Sequence, residues 1–309
     1  MSLTSLIKKP DVREQLKQLR PKKPRKITEK LKVKPRTKNY MLVGTAFDYF
    51  LRFELQRRAP HAVADRWVAD YAPDIIWRMI DNGAIKSTIQ IELVDLMGSP
   101  QDHALTPKIV SGRTREVLVK AKAAVTKYLK LTAPTDAMRT ELAGHAIRLA
   151  KLDTVYRAWR LGTDFEEAGQ EDIQDLVEML AVVPFADLLH SKQLLLNPNF
   201  GDTSLLVGGA DTDMIAGDLL VDFKTTMKDE TDGGHLDQIL GYLLLARKQR
   251  SIDPNFPVIN RVGIYYCRHG YLLAFDATTW TTHPKFLELE HWFFQLAAEV
   301  VAKSVKPNQ

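Results

Sequence analysis

A single cysteine, Cys267, among 309 residues excludes an internal disulfide and any four-cysteine iron–sulfur cluster. The chain has no Gly-x-x-x-x-Gly-Lys-Ser/Thr loop, so no P-loop motor shares the polypeptide and any ATP-driven partner is a separate protein. It has no run of eighteen apolar residues, which excludes a hydrophobic membrane helix, and residues 1–10 lack the apolar centre of a secretory signal. A soluble, cytoplasmic protein with no membrane partner is therefore expected. The eight histidines show no metal-ligand spacing. Disulfide scaffolds, membrane proteins and histidine- or cysteine-based metal centres drop out together.

What is present is enough apolar sequence for a large core: 45% of the residues, able to form one elaborated domain or two small ones. Charge is uneven. The first forty residues carry fourteen Lys or Arg against three acids, so they hold +11 while the whole chain holds +5, leaving −6 for the rest. With its prolines and scattered cations, the segment 1–38 is expected to be a basic flexible arm or a strap across the body. Such a segment neutralises phosphates without reading sequence; a solubilising or partner-docking tail has the same composition.

The stretch 207–242 gathers carboxylates and a lysine around one short turn. Gly217-Asp218 sits between the apolar pairs Met214-Ile215 and Leu219-Leu220, the pattern of a two-residue β-hairpin. Pairing back from that turn sets Ile215 opposite Leu220, Asp213 opposite Asp222 and Asp211 opposite Lys224. Side chains alternate along a strand, so Asp211 and Asp213 share one face, and Asp222 and Lys224 share the matching face of the second strand. Acids crowded this way repel unless a cation neutralises them, and oxygen-only ligands suit Mg²⁺ or Mn²⁺. Surface hairpins also carry acids beside a Gly-Asp turn. Against that reading, Leu219-Leu220-Val221 marks an interior strand, where unpartnered charges cost several kcal/mol, on the order of ~2–7 for even a polar group.

The string Ala210-Asp211-Thr212-Asp213-Met214-Ile215, then Leu220-Val221-Asp222-Phe223-Lys224-Thr225, then Gln238-x-x-x-Tyr242, resembles the RecB-like branch of the PD-(D/E)XK nuclease superfamily. The resemblance implies an α/β (α+β) fold with a restriction-endonuclease-like mixed central sheet flanked by helices. It makes Asp213 and Asp222 metal ligands and Lys224 the catalytic lysine, with Asp211 the rival for the first ligand position. A helix over 236–247 places Gln238 and Tyr242 on one face, four residues apart, toward the same site. The single cysteine sets this chain apart from the iron–sulfur branches of that group.

Upstream, Tyr40-Met-Leu-Val-Gly44-Thr-Ala-Phe-Asp48 resembles the family's first motif, which usually has a histidine four residues after the glycine. Asp48 occupies that place here. It either replaces the histidine as a metal or water-positioning group, or lies on the outer face of a helix whose Phe47, Phe50 and Leu51 pack inward.

Between the two motifs, helical patterns dominate: 62–80, 86–97, 113–130, 135–161 and 171–189, without an internal repeat. They predict a helical insertion, about 61–195, in a nuclease domain spanning 39–309 with its catalytic core at about 197–280. Arg113, Lys120 and Lys127 gather on one side of the 113–130 helix and are candidates for nucleic-acid binding, although an ordinary solvated face has the same appearance. Trp67, Trp77 and Trp159 are expected in the core. Strands at 262–267 and 271–275 around Arg268-His269-Gly270 form a second hairpin, and an amphipathic helix covers 284–304.

The function these residues imply is metal-dependent hydrolysis of DNA phosphodiester bonds at ends or in single strands, with RNA as a further possible substrate and a separate helicase or other protein as a possible partner. DNA repair or recombination, a phage, or anti-phage defence are the settings the resemblance implies. The alternative is a catalytically inactive nuclease-like module that binds nucleic acid or a partner. A nucleotide-sugar transferase built on Asp211-x-Asp213 leaves Lys224, Gln238 and Tyr242 without a role.

Overall fold

Strand chemistry in the C-terminal half organises the sheet. In the computed structural model, residues 2–20, 26–81 and 107–305 are described. The helices are α1 (Leu3–Leu6), α2 (Pro10–Leu19), α3 (Tyr40–Arg58), α4 (Ala72–Asp81), α5 (Pro107–Leu129), α6 (Asp136–Ala158) and α7 (Gln170–Ala181). They continue as α8 (Phe185–Leu188), α9 (Asp202–Leu206), α10 (Gly233–Ile252), α11 (Thr278–Thr281) and α12 (Pro284–Val305). The strands are β1 (Val63–Ala64), β2 (Leu194–Leu196), β3 (Met214–Ala216), β4 (Leu219–Lys224), β5 (Arg261–Tyr266) and β6 (Tyr271–Asp276). They form one mixed six-stranded sheet in chain order, with β1/β2 and β4/β5 parallel and the other pairs antiparallel. No described helix is long and apolar enough to cross a membrane.

The chain divides into two compact units. The sheet unit comprises residues 1–32, 61–65 and 182–309. Its parallel pair β4/β5 requires a crossover, and α10 supplies it. That helix opens on Asp232, whose carboxylate accepts from the Gly234 N–H at 2.6 Å. It is apolar nearly all round, with Leu236, Ile239, Leu240, Leu243, Leu244 and Leu245 all fully buried, as befits a helix covered on every side. One side packs on Ile215, Leu220, Val262 and Ile264 of the sheet; α12 adds Phe286, Leu289 and Phe293 to the same core.

The first twenty residues depart from the expected flexible arm. α1 and α2 insert Leu3, Leu6, Ile7, Val12 and Leu16 into this core, and α1 approaches α10 so closely that a side chain at Gly241 would meet Leu3 at 3.1 Å. Arg20 then makes a two-pronged ion pair with Asp237 of α10, at 2.6 and 2.7 Å. The apolar residues at helical spacing outweigh the net charge, because Lys8, Arg13 and Lys17 are exposed while one narrow stripe is buried. Ile27 continues the attachment, its N–H donating to the Asp229 carbonyl.

The helical unit comprises residues 33–60 and 66–181, so the first-motif helix α3 groups with the helices that were expected to be an insertion, not with the sheet. Buried polar groups tie it together: Tyr49 donates to Asp153 at 3.0 Å and accepts from the Ala69 N–H, while Glu54 binds Arg57, Arg58 and Tyr128, each at 2.6 Å. The single helix expected over 62–80 is instead β1, a 3-10 turn at Val68–Tyr71 and α4, because Val63 and Ala64 pair with β2. The helix expected over 171–189 breaks at Pro184, which has no N–H to continue it. The helix expected over 86–97 lies outside the described residues. Trp67 packs against Tyr49 and Phe53, whereas Trp77 and Trp159 are about half exposed, Trp159 because it terminates α6 in the left-handed region.

Candidate active site

The hairpin forms with the register read from the sequence: Ile215 faces Leu220, Met214 faces Val221 and Ala216 faces Leu219. Gly217 turns at φ +60°, a value suited to glycine, and a Cβ there would stand 2.8 Å from the Ser191 hydroxyl. Asp218 is clamped to Arg261 at 2.7 Å, which fixes the turn against the start of β5. Both faces of β3 and of the first half of β4 are buried, which explains the unbroken apolar run in Leu219-Leu220-Val221.

The ladder ends one residue before the acids. At Asp213 the chain bends; its carbonyl accepts from the Asn197 N–H at 2.9 Å, and its carboxylate accepts from the Phe223 N–H. Asp213 thus stays beside β4 by a side-chain bond in place of a main-chain one. Asp211 departs from the expected pairing with Lys224: it forms a bridge with Asn199. The physical reason is local. The bend at Asp213 removes the strand that would have carried Asp211 along β4.

Leu220, Asp222 and Lys224 alternate onto the face that α10 crosses, and the polar residues of the two elements meet. Asp222 is 2% exposed and contacts Lys224 Nζ at 2.5 Å. Lys224 also donates to Gln238 Oε1 at 3.0 Å, and Gln238 Nε2 donates to the Tyr242 hydroxyl at 2.7 Å. Asp222, Lys224, Gln238 and Tyr242, chosen from a strand and a helix separated by a loop, therefore form one connected chain. Burial opposes the charge on Lys224, but Asp222 and Asp213 outweigh it and hold the ammonium above its ordinary range. Burial first, then Asp222, Asp213 and Asp211, pushes the Tyr242 phenol well up. All three acids are thus felt at one hydroxyl. A lysine held cationic cannot take a proton at neutral pH; it can neutralise an anion or position one.

Among the described residues, no three acidic, histidine or cysteine side chains stand close enough to make a ready-formed metal cage. The donor set still fits Mg²⁺ or Mn²⁺ in kind, since Mg²⁺ commonly binds through one or two carboxylates and completes its shell with water and substrate oxygens. Asp213 and Asp222 are the residues available for that, with Asp211 and the Phe223 carbonyl nearby in sequence.

Asp48 belongs to the helical unit and is ion-paired with Arg52 one helical turn on, at 2.6 Å, while Phe47, Phe50 and Leu51 are buried as expected. Arg113 is engaged by Glu166 and lies over the Phe165 ring at 5.3 Å. Lys120 and Lys127 are exposed on the side of α5 that faces α6. His235, just ahead of Gln238, is held below its ordinary value by burial and then by Lys224.

Sequence reasoning missed Arg20 and Asp237. The available signal was an acid at position 237 in an otherwise apolar helical stretch, since a buried carboxylate requires a partner. No family model, curated protein or solved structure matches the chain, and the resemblance to RecB-like nucleases rests on its motif residues alone.

Proposed function

We propose that the protein is a metal-dependent deoxyribonuclease with a restriction-endonuclease-like core, hydrolysing DNA phosphodiester bonds at ends or in single-stranded regions. One observation carries this reading: the connected polar series Asp222–Lys224–Gln238–Tyr242, an ion pair followed by two hydrogen bonds, with Asp213 held against the same strand by the Phe223 N–H. A strand carrying acid-x-lysine and a helix carrying Gln-x-x-x-Tyr have no packing reason to meet through polar side chains.

Asp213 and Asp222 would hold Mg²⁺ or Mn²⁺, which supplies an activated water and offsets negative charge on phosphorus. Lys224 stays protonated and neutralises charge on the non-bridging phosphate oxygens as it builds during in-line attack. Gln238 orients the ammonium through its carbonyl oxygen. Tyr242, kept neutral by its buried, acid-rich surroundings, accepts from the Gln238 amide and so fixes which way that amide points. The setting we infer is DNA repair or recombination, a phage, or defence against foreign DNA.

A second reading has its own support. Lys224 contacts Asp222 directly, a closed ion pair that is also what an idle nuclease-like binding module would retain. One experiment separates the two. Purified protein is incubated with end-labelled and covalently closed DNA, single- and double-stranded, and with RNA, in Mg²⁺, Mn²⁺ or chelator, beside Lys224→Ala. Metal-dependent cleavage that falls by about a hundredfold or more in the variant supports the nuclease, by analogy with removal of one charge-stabilising donor. Retention of DNA without cleavage under any of these conditions supports the binding module.

A further inference from the structure

Within the helical unit, α5 and α6 enclose a cleft of about 650 Å³, inside the range that holds small-molecule ligands. Lys120 and Arg148 line it from opposite helices, with His145 and Glu141 one and two turns from Arg148 on α6 and Glu166 at the rim. Gly144 leaves the floor open: a Cβ there would stand 3.3 Å from the Arg148 guanidinium.

The charges in this cleft are unequally engaged. Glu166 is bound to Arg113, and among the described residues Arg148 uses only its Nε, donating to the Glu166 carbonyl at 2.7 Å. Lys120 has no ion pair among the described residues, and His145 Nδ1 is buried without a hydrogen-bond partner among them. Burial first, then Arg148, holds the His145 ring below its ordinary value; Glu141 opposes this and Lys120 adds to it.

We propose that this cleft binds the phosphate group of a nucleotide, with Lys120 and Arg148 neutralising it and His145 completing its hydrogen bonds. A guanidinium with both terminal nitrogens open presents a fork that matches two phosphate oxygens, and the ammonium across the cleft supplies a second cation. Glu141 faces the same space and repels a bare anion, so it favours a ligand that also offers a donor, as a sugar hydroxyl or a base amino group does. The site uses none of the hairpin residues and stands whether or not the protein is a nuclease.

The phosphate can arrive on a free nucleotide or at a strand terminus. The test uses the full chain carrying Lys224→Ala, so that no ligand is consumed. Calorimetric titration with a deoxynucleoside 5′-monophosphate is expected to show saturable binding, accompanied by movement of the His145 ring signals in an NMR titration. Lys120→Glu, a change at an exposed side chain, is expected to weaken binding about tenfold or more, and Arg148→Lys to weaken it by a smaller factor. Tighter binding of a 5′-phosphorylated oligonucleotide than of the monophosphate, lost in the 5′-hydroxyl form, assigns the site to strand ends; tighter binding of the monophosphate than of the phosphorylated oligonucleotide assigns it to free nucleotides. The proposal is overturned if no phosphorylated probe binds, if Lys120→Glu binds as the parent does, or if the His145 signals stay fixed at saturation.

Discussion

Replacing Arg20 by alanine should loosen the helix that carries Gln238 and Tyr242. Asp237 is 1% exposed and accepts both prongs of the Arg20 guanidinium; the next cation, Arg13, lies at 4.0 Å on a side chain that is mostly in solvent. Removing one partner of a buried ion pair typically costs ~3–5 kcal/mol, because the other charge is left without compensation. Arg13 can move in to replace part of the loss, so the lower end, about 3 kcal/mol, is expected. That is a large share of the ~5–15 kcal/mol that holds a domain together. Hydrogen exchange read by mass spectrometry is the suitable assay, since it reports the sheet unit separately from the helical one. If opening of α10 becomes about 3 kcal/mol easier, its slowest amides exchange about a hundredfold faster. Arg20→Ala combined with Asp237→Leu should recover most of the protection, because an apolar residue of similar size needs no partner. Unchanged exchange in α10 for Arg20→Ala, or no recovery in the double variant, would refute the view that this pair anchors the amino-terminal segment to the site helix.

Three further outcomes follow from the same geometry. The charge of Lys224 is favoured in the folded state, so its contribution to stability is complete below the ordinary lysine value of 10.5 and is lost as pH rises through the raised folded value; urea midpoints should therefore fall more gently for Lys224→Met than for the parent on moving from pH 9 to 11, and parallel curves would count against it. Tyr242→Phe leaves the Gln238 amide without its acceptor and should lower turnover roughly tenfold with the far-ultraviolet spectrum unchanged, as expected for loss of a ~1–1.5 kcal/mol hydrogen bond; full activity would show that the amide needs no fixing. Gly217→Ala combines a strained φ with contact against Ser191, and should cost about 1–2 kcal/mol in urea denaturation, partly relieved by Ser191→Gly. A neutral result there would mean that the turn can change type without disturbing the strands.

The polar series at the site was legible piece by piece and not as a whole. Period-two alternation put Asp222 and Lys224 on one strand face, and the four-residue spacing put Gln238 and Tyr242 on one helix face. Neither pattern says that the two faces meet. That follows from the parallel pairing of β4 with β5, which obliges the intervening helix to cross the sheet on the side where Leu220 and Ile215 offer an apolar bed. Asp211 shows the opposite case. Alternation alone extended the hairpin to it, whereas the bend at Asp213 and the bridge to Asn199 took it out of register.

By itself, the sequence determined what near neighbours along the chain can enforce: the turn at Gly217-Asp218, the register of β3 on β4, the presence of the Gln-Tyr helix, although it runs Gly233–Ile252 and not only over 236–247, and the hairpin of β5 with β6. These depend on φ preferences and on side-chain periodicity over a few residues. Only the tertiary structure decided that the basic leader folds as α1 and α2 onto α10, that Arg20 answers Asp237, that α3 groups with the helical unit and that Lys120 and Arg148 share a cleft. Each of these joins residues far apart in the chain. Which distant partners meet is settled by the burial and charge compensation of the assembled core, and neither quantity exists until the elements have packed.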